Sequence, residues 1–222
     1  MLPLMKLHII ILAAGKGTRM CSAKPKVLHL LAGKPLLSHV IDAAISLNPD
    51  GIHVVIGHNA QQVQTLLSGS PVHWVHQTQQ LGTGHAVLQA LPGIDDDACV
   101  LILSGDVPLI QHQTLQSLLQ QQHQSLTLLL ATTHNPHGLG RVLRTSSGDP
   151  CAIVEEKDAS EDEQQINEIY SGICCAPAQY LKRWLPALSN DNQQKEFYLT
   201  SILAMAVSES VSVTSMQVAD NI

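Results

Sequence analysis

The chain has 222 residues, 45% of them hydrophobic, 14% charged and 3% aromatic, with a formal net charge of −6. That length and apolar content fit one ordered domain with a core of Leu, Val, Ile and Ala, and exclude a disordered chain. The acidic balance argues against nucleic acid as a partner, and no apolar run approaches the ~20 residues that span a bilayer, so no membrane partner is expected.

The first predicted element is a strand at Leu7–Leu12. The start, MLPLMKLHIIILAAG, imitates a short secretory signal, but His8 interrupts the run and the following segment reads as a functional loop, so a cytoplasmic protein is expected. That loop, LAAGKGTRMCSAKPK, is cationic: Met1–Lys34 holds Lys6, Lys16, Arg19, Lys24, Lys26 and Lys34 and no Asp or Glu, leaving six basic and 18 acidic residues for the rest. A positive patch on an acidic chain is a field suited to a small polyanion. A helix then reads at Pro35–Leu47, a strand at Ile52–Ile56, a helix at Ala60–Leu67 and a strand at Val72–Val75. On that strand His73 and His76, three apart, face opposite ways and make a poor metal pair. A helix at Thr83–Leu91, a strand at Cys99–Leu103, a helix at Thr114–Gln122 and a strand at Leu126–Ala131 follow. The Gln-rich LQQQHQ, with His123, reads as an exposed helix end, and His39 as a surface or helix-packing residue. Short continuous apolar runs alternating with helices predict an α/β fold, a mostly parallel sheet covered on both faces.

After Pro136 the texture changes. Gly140–Arg144 and Cys151–Glu155 predict a β-hairpin turning at Ser146–Pro150. A polar acidic stretch, Asp158–Glu168, leads to a strand at Ile169–Ala176, helices at Pro177–Leu188 and Leu199–Ser208, and a strand at Val211–Met216. Five cysteines, Cys21, Cys99, Cys151, Cys174 and Cys175, lack C-x-x-C spacing and read as reduced thiols rather than a disulfide framework or a zinc site.

The chemistry concentrates at strand ends, where open α/β sheets bind ligands. Gly15 and Gly17 let backbone N–H groups approach an anion, and Arg19 and Lys26 can neutralise phosphate. The stretch is not G-x-G-x-x-G, because Met20 takes the third glycine's place, nor is it a P-loop; a nicotinamide-dependent oxidoreductase loses ground accordingly. In CVLILSGDVPL an apolar strand ends at Ser104-Gly105-Asp106, which places an acid at a strand tip, well set to hold Mg²⁺. Between the two lies HQTQQLGTGHAVLQAL, where Gln77 and the Gly82-Thr83-Gly84 turn open a helix with free N–H groups suited to reading a base edge.

The motifs LAAGKGTRM, PKVLH, LAGKPLL, HVIDAA, QLGTGHA, GDVPLI, GRV, IVEEKDA and KRWL together resemble the sugar-phosphate nucleotidyltransferases, and among them the N-acetylglucosamine-1-phosphate uridyltransferases. The resemblance covers most of residues 9–200. It implies a Rossmann-like nucleotidyltransferase fold with a mixed seven-stranded sheet, one domain over residues 1–222 with a nucleotide half (about 1–135) and a sugar half (about 136–222) built on the hairpin. It implies UTP and a sugar 1-phosphate as partners and Mg²⁺ as cofactor. Leu12, Ala13, Ala14, Gly15 and Gly17 would line the nucleotide, Arg19 and Lys26 would face its phosphates, and Gln77, Gly82 and Thr83 would hold uracil. Ser104 and Gly105 would sit by the ribose, Asp106 would bind Mg²⁺, and Gly140, Glu155 and the position of Tyr170 would meet the sugar.

Three departures qualify that picture. Ser104 replaces an aromatic often found before Gly-Asp. EIYSGI puts Tyr170 where the family pattern E-I-N-T-G-I has an Asn; the lost sugar hydrogen bond costs about 1–3 kcal/mol, and the ring takes up pocket volume. The family's second Mg²⁺-binding Asn belongs to a G-V-N-N-R-like motif that QVADNI does not reach, with Asn221 the available stand-in, and no hexapeptide-repeat acetyltransferase domain with its trimerising surface is expected. The expected activity is UMP transfer from UTP to N-acetylglucosamine 1-phosphate. The alternatives are a different sugar 1-phosphate, or a paralogue that binds nucleotide or nucleotide sugar without efficient turnover.

Overall fold

The computed structural model describes residues 6–15, 17, 22, 24–122 and 124–218. Lys16, Arg19, Met20, Cys21, His123 and Asn221 lie outside the described residues. In chain order the elements are β1 (Leu7–Ala13), β2 (Leu30–Leu31), β3 (Lys34–Pro35), α1 (Leu36–Ser46), β4 (Gly51–Ile56), α2 (Ala60–Leu66), β5 (His73–His76), α3 (Thr83–Ala90), β6 (Cys99–Ser104), α4 (His112–Gln120) and β7 (Leu126–Thr132). Then come β8 (Arg141–Arg144), β9 (Pro150–Val154), α5 (Glu161–Gln164), β10 (Glu168–Pro177), α6 (Ala178–Trp184), α7 (Ile202–Ser208) and β11 (Val213–Gln217).

Seven strands form the main path, in the order β11-β7-β10-β6-β1-β4-β5, and the β8–β9 hairpin hangs from β10 through β8. β1 lies parallel between β4 and β6, β4 is parallel to β5, and β7 is parallel to β11. Along this path, among the described residues, β10 alone runs against its neighbours, β6 and β7, and the β8–β9 hairpin is antiparallel too. The alternation of side chains along each strand splits the interior in two. Ile9, Ile11 and Ala13 of β1 join the core under α1 and α4. Ile10 joins the core under α3, α6 and α7. α1 reaches its layer through Leu37, Val40, Ile41 and Ala44, at the i, i+3, i+4, i+7 spacing of one helical face.

Two sequence readings need correction. The acidic stretch contains α5, which buries nothing and is held at its start by a capping box between Ser160 and Glu163; it has no apolar stripe for periodicity to find, and the S-x-x-E signature was the available signal. The Gln-rich segment is not all exposed: Gln122 is 4% exposed and its amide donates to the Ser125 carbonyl at 3.4 Å. The chain turns inward there to enter β7, and the buried amide is satisfied at its nitrogen only, its oxygen finding no partner among the described residues.

Candidate active site

The adjacent parallel strands β1 and β6 end side by side, and the Gly105 N–H donates to the Leu12 carbonyl at 2.9 Å, so the loops that follow them leave from one point. A cleft of about 560 Å³ opens there, lined by Leu12, Ala13, Ala14, Gly15, Gly17, Lys26, Gln77, Gly82, Thr83, Ser104 and Asp106 among others. A larger depression of about 780 Å³ near Lys24, Asn59 and Leu66 includes no strand tip and one cationic side chain. The smaller cleft is the one with chemistry.

Its charged centre is Lys26 and Asp106. Asp106 Oδ2 pairs with the Lys26 ammonium, and Asp106 Oδ1 accepts from the Ser104 hydroxyl at 2.9 Å. Burial disfavours the Asp106 anion, but the Lys26 bond and charge and the Ser104 hydroxyl together outweigh it and hold the carboxyl below its ordinary value. Lys26 is brought in by Gly17: at φ +59°, a Cβ there would stand 2.6 Å from the Lys26 Cβ. The lysine stem occupies the volume that any other residue at 17 would fill.

On the far side of the cleft the Gln77 side chain is 3% exposed. Its amide nitrogen donates to the Gly82 carbonyl at 3.0 Å and faces His85 Nδ1 at 3.0 Å. Gly82 has φ +113°, and a Cβ on it would meet the Phe197 carbonyl oxygen at 2.6 Å. The free helix start read from the sequence needs correction, because a strap from Glu196 to Thr200 crosses it. The Phe197 N–H donates to the Leu81 carbonyl at 2.7 Å and the Gly84 N–H to the Phe197 carbonyl at 2.8 Å. The Leu199 N–H donates to Thr83 Oγ1 at 2.9 Å. This contact joins residues more than a hundred positions apart, and no local pattern announces it. Through it Glu196 also lines the cleft, as do Gln80, Val27 and Ala86, none of which sequence reasoning singled out.

The strap continues to a second cluster. The Thr200 hydroxyl donates to Glu155 Oε1 at 3.0 Å, and the Tyr198 hydroxyl donates to Asp158 Oδ2 at 3.0 Å. The Gly140 carbonyl accepts from the Tyr170 N–H at 3.0 Å, and a Cβ on Gly140 would lie 3.7 Å from Glu155 Oε2. Gly140, Glu155 and Tyr170 are thus neighbours. Burial raises the Glu155 pKa, and the charges of Asp158 and Glu196 add to that against the Thr200 bond. The Tyr170 ring, 9% exposed, packs in the core with Leu130, Val142, Ile153 and Leu199. Among the described residues its buried hydroxyl has no nitrogen or oxygen partner, and the weakly bonding Cys174 thiol is its neighbour. Arg141, 2% exposed, pins the hairpin by pairing with Glu156 at 2.5 Å and by donating to the Leu139 carbonyl.

Among the described residues no three His, Cys, Asp or Glu side chains are grouped to hold a metal, and none of the described helices is long and apolar enough to cross a membrane. The described cysteines, Cys99, Cys151, Cys174 and Cys175, are free.

The family profile described as "MobA-like NTP transferase domain" matches residues 9–201. The chain belongs to that family. Among curated relatives, the bifunctional protein GlmU of Legionella pneumophila (strain Corby) is 58% identical over 218 residues, covering 96% of this chain and 47% of that protein. GlmU of Marinobacter nauticus is 54% identical over 212 residues, covering 95% and 47%. The chain therefore spans about half the length of the curated relatives it matches. A solved structure of UDP-glucose pyrophosphorylase complexed with UDP-glucose superposes with a TM-score of 0.74 at 18% identity, over 96% of this chain and 91% of that one. At that identity the likeness establishes the nucleotidyltransferase fold alone.

Proposed function

We propose that this chain transfers UMP from UTP to N-acetylglucosamine 1-phosphate, giving UDP-N-acetylglucosamine and pyrophosphate. The observation that carries the reading is the Lys26–Asp106 pair set in a glycine-lined cleft where β1 and β6 end. Leu12, Ala13, Ala14, Gly15 and Gly17 would run along the nucleotide, and Gln77, Gly82 and Thr83 along its uracil. Ser104 and Gly105 would lie by the ribose, and Arg19 would join Lys26 at the phosphates. Residues 1–135 act as the nucleotide half and 136–222 as the sugar half, with Gly140, Glu155 and Tyr170 on the sugar side. A cytoplasmic setting suits a nucleoside triphosphate substrate and free thiols.

The chemistry needs no protein base. A phosphate oxygen of the sugar 1-phosphate, whose second pKa is about 6, attacks the α-phosphorus in line; a new P–O bond forms, the bond to the β-phosphate oxygen breaks, and pyrophosphate leaves. The protein's task is to hold two anions together and neutralise the crowded charge. The Lys26 ammonium suits that task. Asp106 offers hard carboxylate oxygen at the cleft, a donor that fits Mg²⁺, which takes most of its remaining ligands from phosphate and water. When bound, the ion would lower the charge on the triphosphate.

One observation favours a second reading, a different sugar 1-phosphate or binding without efficient turnover: the Tyr170 ring is buried in the core, on a residue whose backbone is bonded to Gly140, where the family pattern has a smaller amide. Pyrophosphate release measured with UTP, Mg²⁺ and a panel of sugar 1-phosphates separates the two. Turnover with N-acetylglucosamine 1-phosphate supports the first reading, turnover with another sugar moves the specificity, and UTP binding with no turnover on any sugar rejects transfer.

A further inference from the structure

Both carboxylate oxygens of Asp106 are taken by protein groups, Oδ1 by the Ser104 hydroxyl and Oδ2 by the Lys26 ammonium. We propose that Lys26 occupies the cation position on Asp106 until a triphosphate draws it away, so that metal and nucleotide enter this cleft as a unit and the metal alone binds poorly. The inference rests on the reading of Asp106 as a metal ligand and adds an order of binding to it.

Three features of the cleft lead there. The first is a shortage of anionic donors. Of the side chains that line the cleft, the acids are Asp106 and Glu196, and no third metal-ligating group joins them among the described residues. A small hard dication that wants six oxygens in octahedral array finds one well-placed carboxylate, already paired. The second is competition. An ammonium is a compact point charge, the side chain that most nearly imitates a bound cation, and a free dication must displace it against its own repulsion. The third is a built-in direction of movement. The Lys26 Cβ is wedged against Gly17 and its backbone opens the short 3-10 turn Lys26–Leu28 after Pro25, so the stem stays fixed while the side-chain torsions carry the ammonium across the cleft. A triphosphate lying along Gly15 and Gly17 offers that ammonium several negative oxygens in exchange for one. Once Lys26 moves, Oδ2 is released while Ser104 still holds Oδ1, leaving the carboxylate oriented with one oxygen open.

Mn²⁺ is the probe, its affinity read by electron paramagnetic resonance on the full chain with and without UTP and in the absence of any sugar phosphate, so that no turnover intrudes. Without UTP, Lys26→Gln is expected to bind Mn²⁺ roughly tenfold or more tightly than the wild type; Lys26→Arg, which keeps the charge, and Lys24→Gln, which removes a nearby cation from outside the pair, are expected to leave it weak. Adding Asp106→Asn to Lys26→Gln is expected to abolish the gain. Lys26→Met keeps the stem against Gly17 and replaces the glutamine variant if that one does not fold. An unchanged Mn²⁺ affinity in Lys26→Gln or Lys26→Met, or an equal gain in Lys24→Gln, overturns the proposal. In either case, if Asp106→Asn still weakens Mn²⁺ in the presence of UTP, the metal reading stands without it. If Asp106→Asn changes nothing with UTP bound, Asp106 is not a metal ligand and both fall.

Discussion

The cleft proposed for the nucleotide and the cluster proposed for the sugar each centre on a carboxyl group, and the protein treats the two in opposite ways. Asp106 is partly buried yet faces Lys26 and Ser104, and its pKa is pulled down. Glu155 is partly buried among other acids, Asp158 and Glu196, with a Thr200 hydroxyl for support, and its pKa is pushed up. The cleft suits ionic ligands, with a cation and an anion already paired in it. The cluster at Glu155 would suit neutral, hydroxyl-bearing groups, because burial and the neighbouring acids hold its carboxyl toward the neutral form. The strap from Glu196 to Thr200 touches both, through Leu81, Thr83 and Gly84 on one side and Glu155 on the other.

That contrast can be broken in several places. The largest effect is expected from Asp106→Asn, which should lower kcat for pyrophosphate release by ~10²–10³-fold, the scale of losing one transition-state charge contact; Glu155→Gln should act mainly on the KM for the sugar phosphate, and steady-state kinetics on both variants separates the roles. Next comes the junction between the regions. Gly82→Ala forces a side chain into a φ of +113° and onto the Phe197 carbonyl, and should cost ~1–3 kcal/mol or more in urea unfolding.

The pH dependence of stability should have opposite signs in the two regions. Asp106, with its folded pKa depressed, contributes stability that is present above its ordinary value of 3.8 and lost as pH falls through the lower one. Glu155, with its folded pKa raised, contributes stability that is full below its ordinary value of 4.5 and lost as pH rises through the higher one. Melting curves from pH 3 to pH 8 (roughly the span of carboxylate titration) should therefore show Glu155→Gln gaining on the wild type as pH rises, and Asp106→Asn losing to it. The smallest effect is expected from Tyr170→Phe. Deleting a buried hydroxyl that has no better partner than a thiol, while keeping the ring, should leave stability within ~1 kcal/mol or raise it. A clear loss would mean that the hydroxyl has a stronger partner.

The cleft was far more legible in the sequence than the sugar side. Gly15, Gly17 and Lys26 lie within a dozen residues, Ser104, Gly105 and Asp106 are consecutive, and the parallel order that sets β6 beside β1 follows from continuous apolar runs separated by helices. Local pattern therefore carries most of the geometry. The strap does not read this way: Leu199 meets Thr83 and Phe197 meets Leu81 across 116 positions of chain, with backbone groups and one threonine hydroxyl at the contact, so the turn at Gly82 looked open. Tyr170 is a related case. Its place in β10 was clear, but the register shift between Tyr170 and Ile173 decides where its ring goes, and a bulge leaves little trace in hydrophobic alternation.

The measurement that bears most directly on the account is pyrophosphate release by the full chain with UTP, Mg²⁺ and N-acetylglucosamine 1-phosphate, run beside Asp106→Asn. The account expects one pyrophosphate for each UDP-N-acetylglucosamine formed by the wild type and a loss of nearly all of it in the variant. Equal turnover by the two proteins would contradict the role given to the pair where β1 and β6 end, and so would a wild-type chain that takes up no UTP.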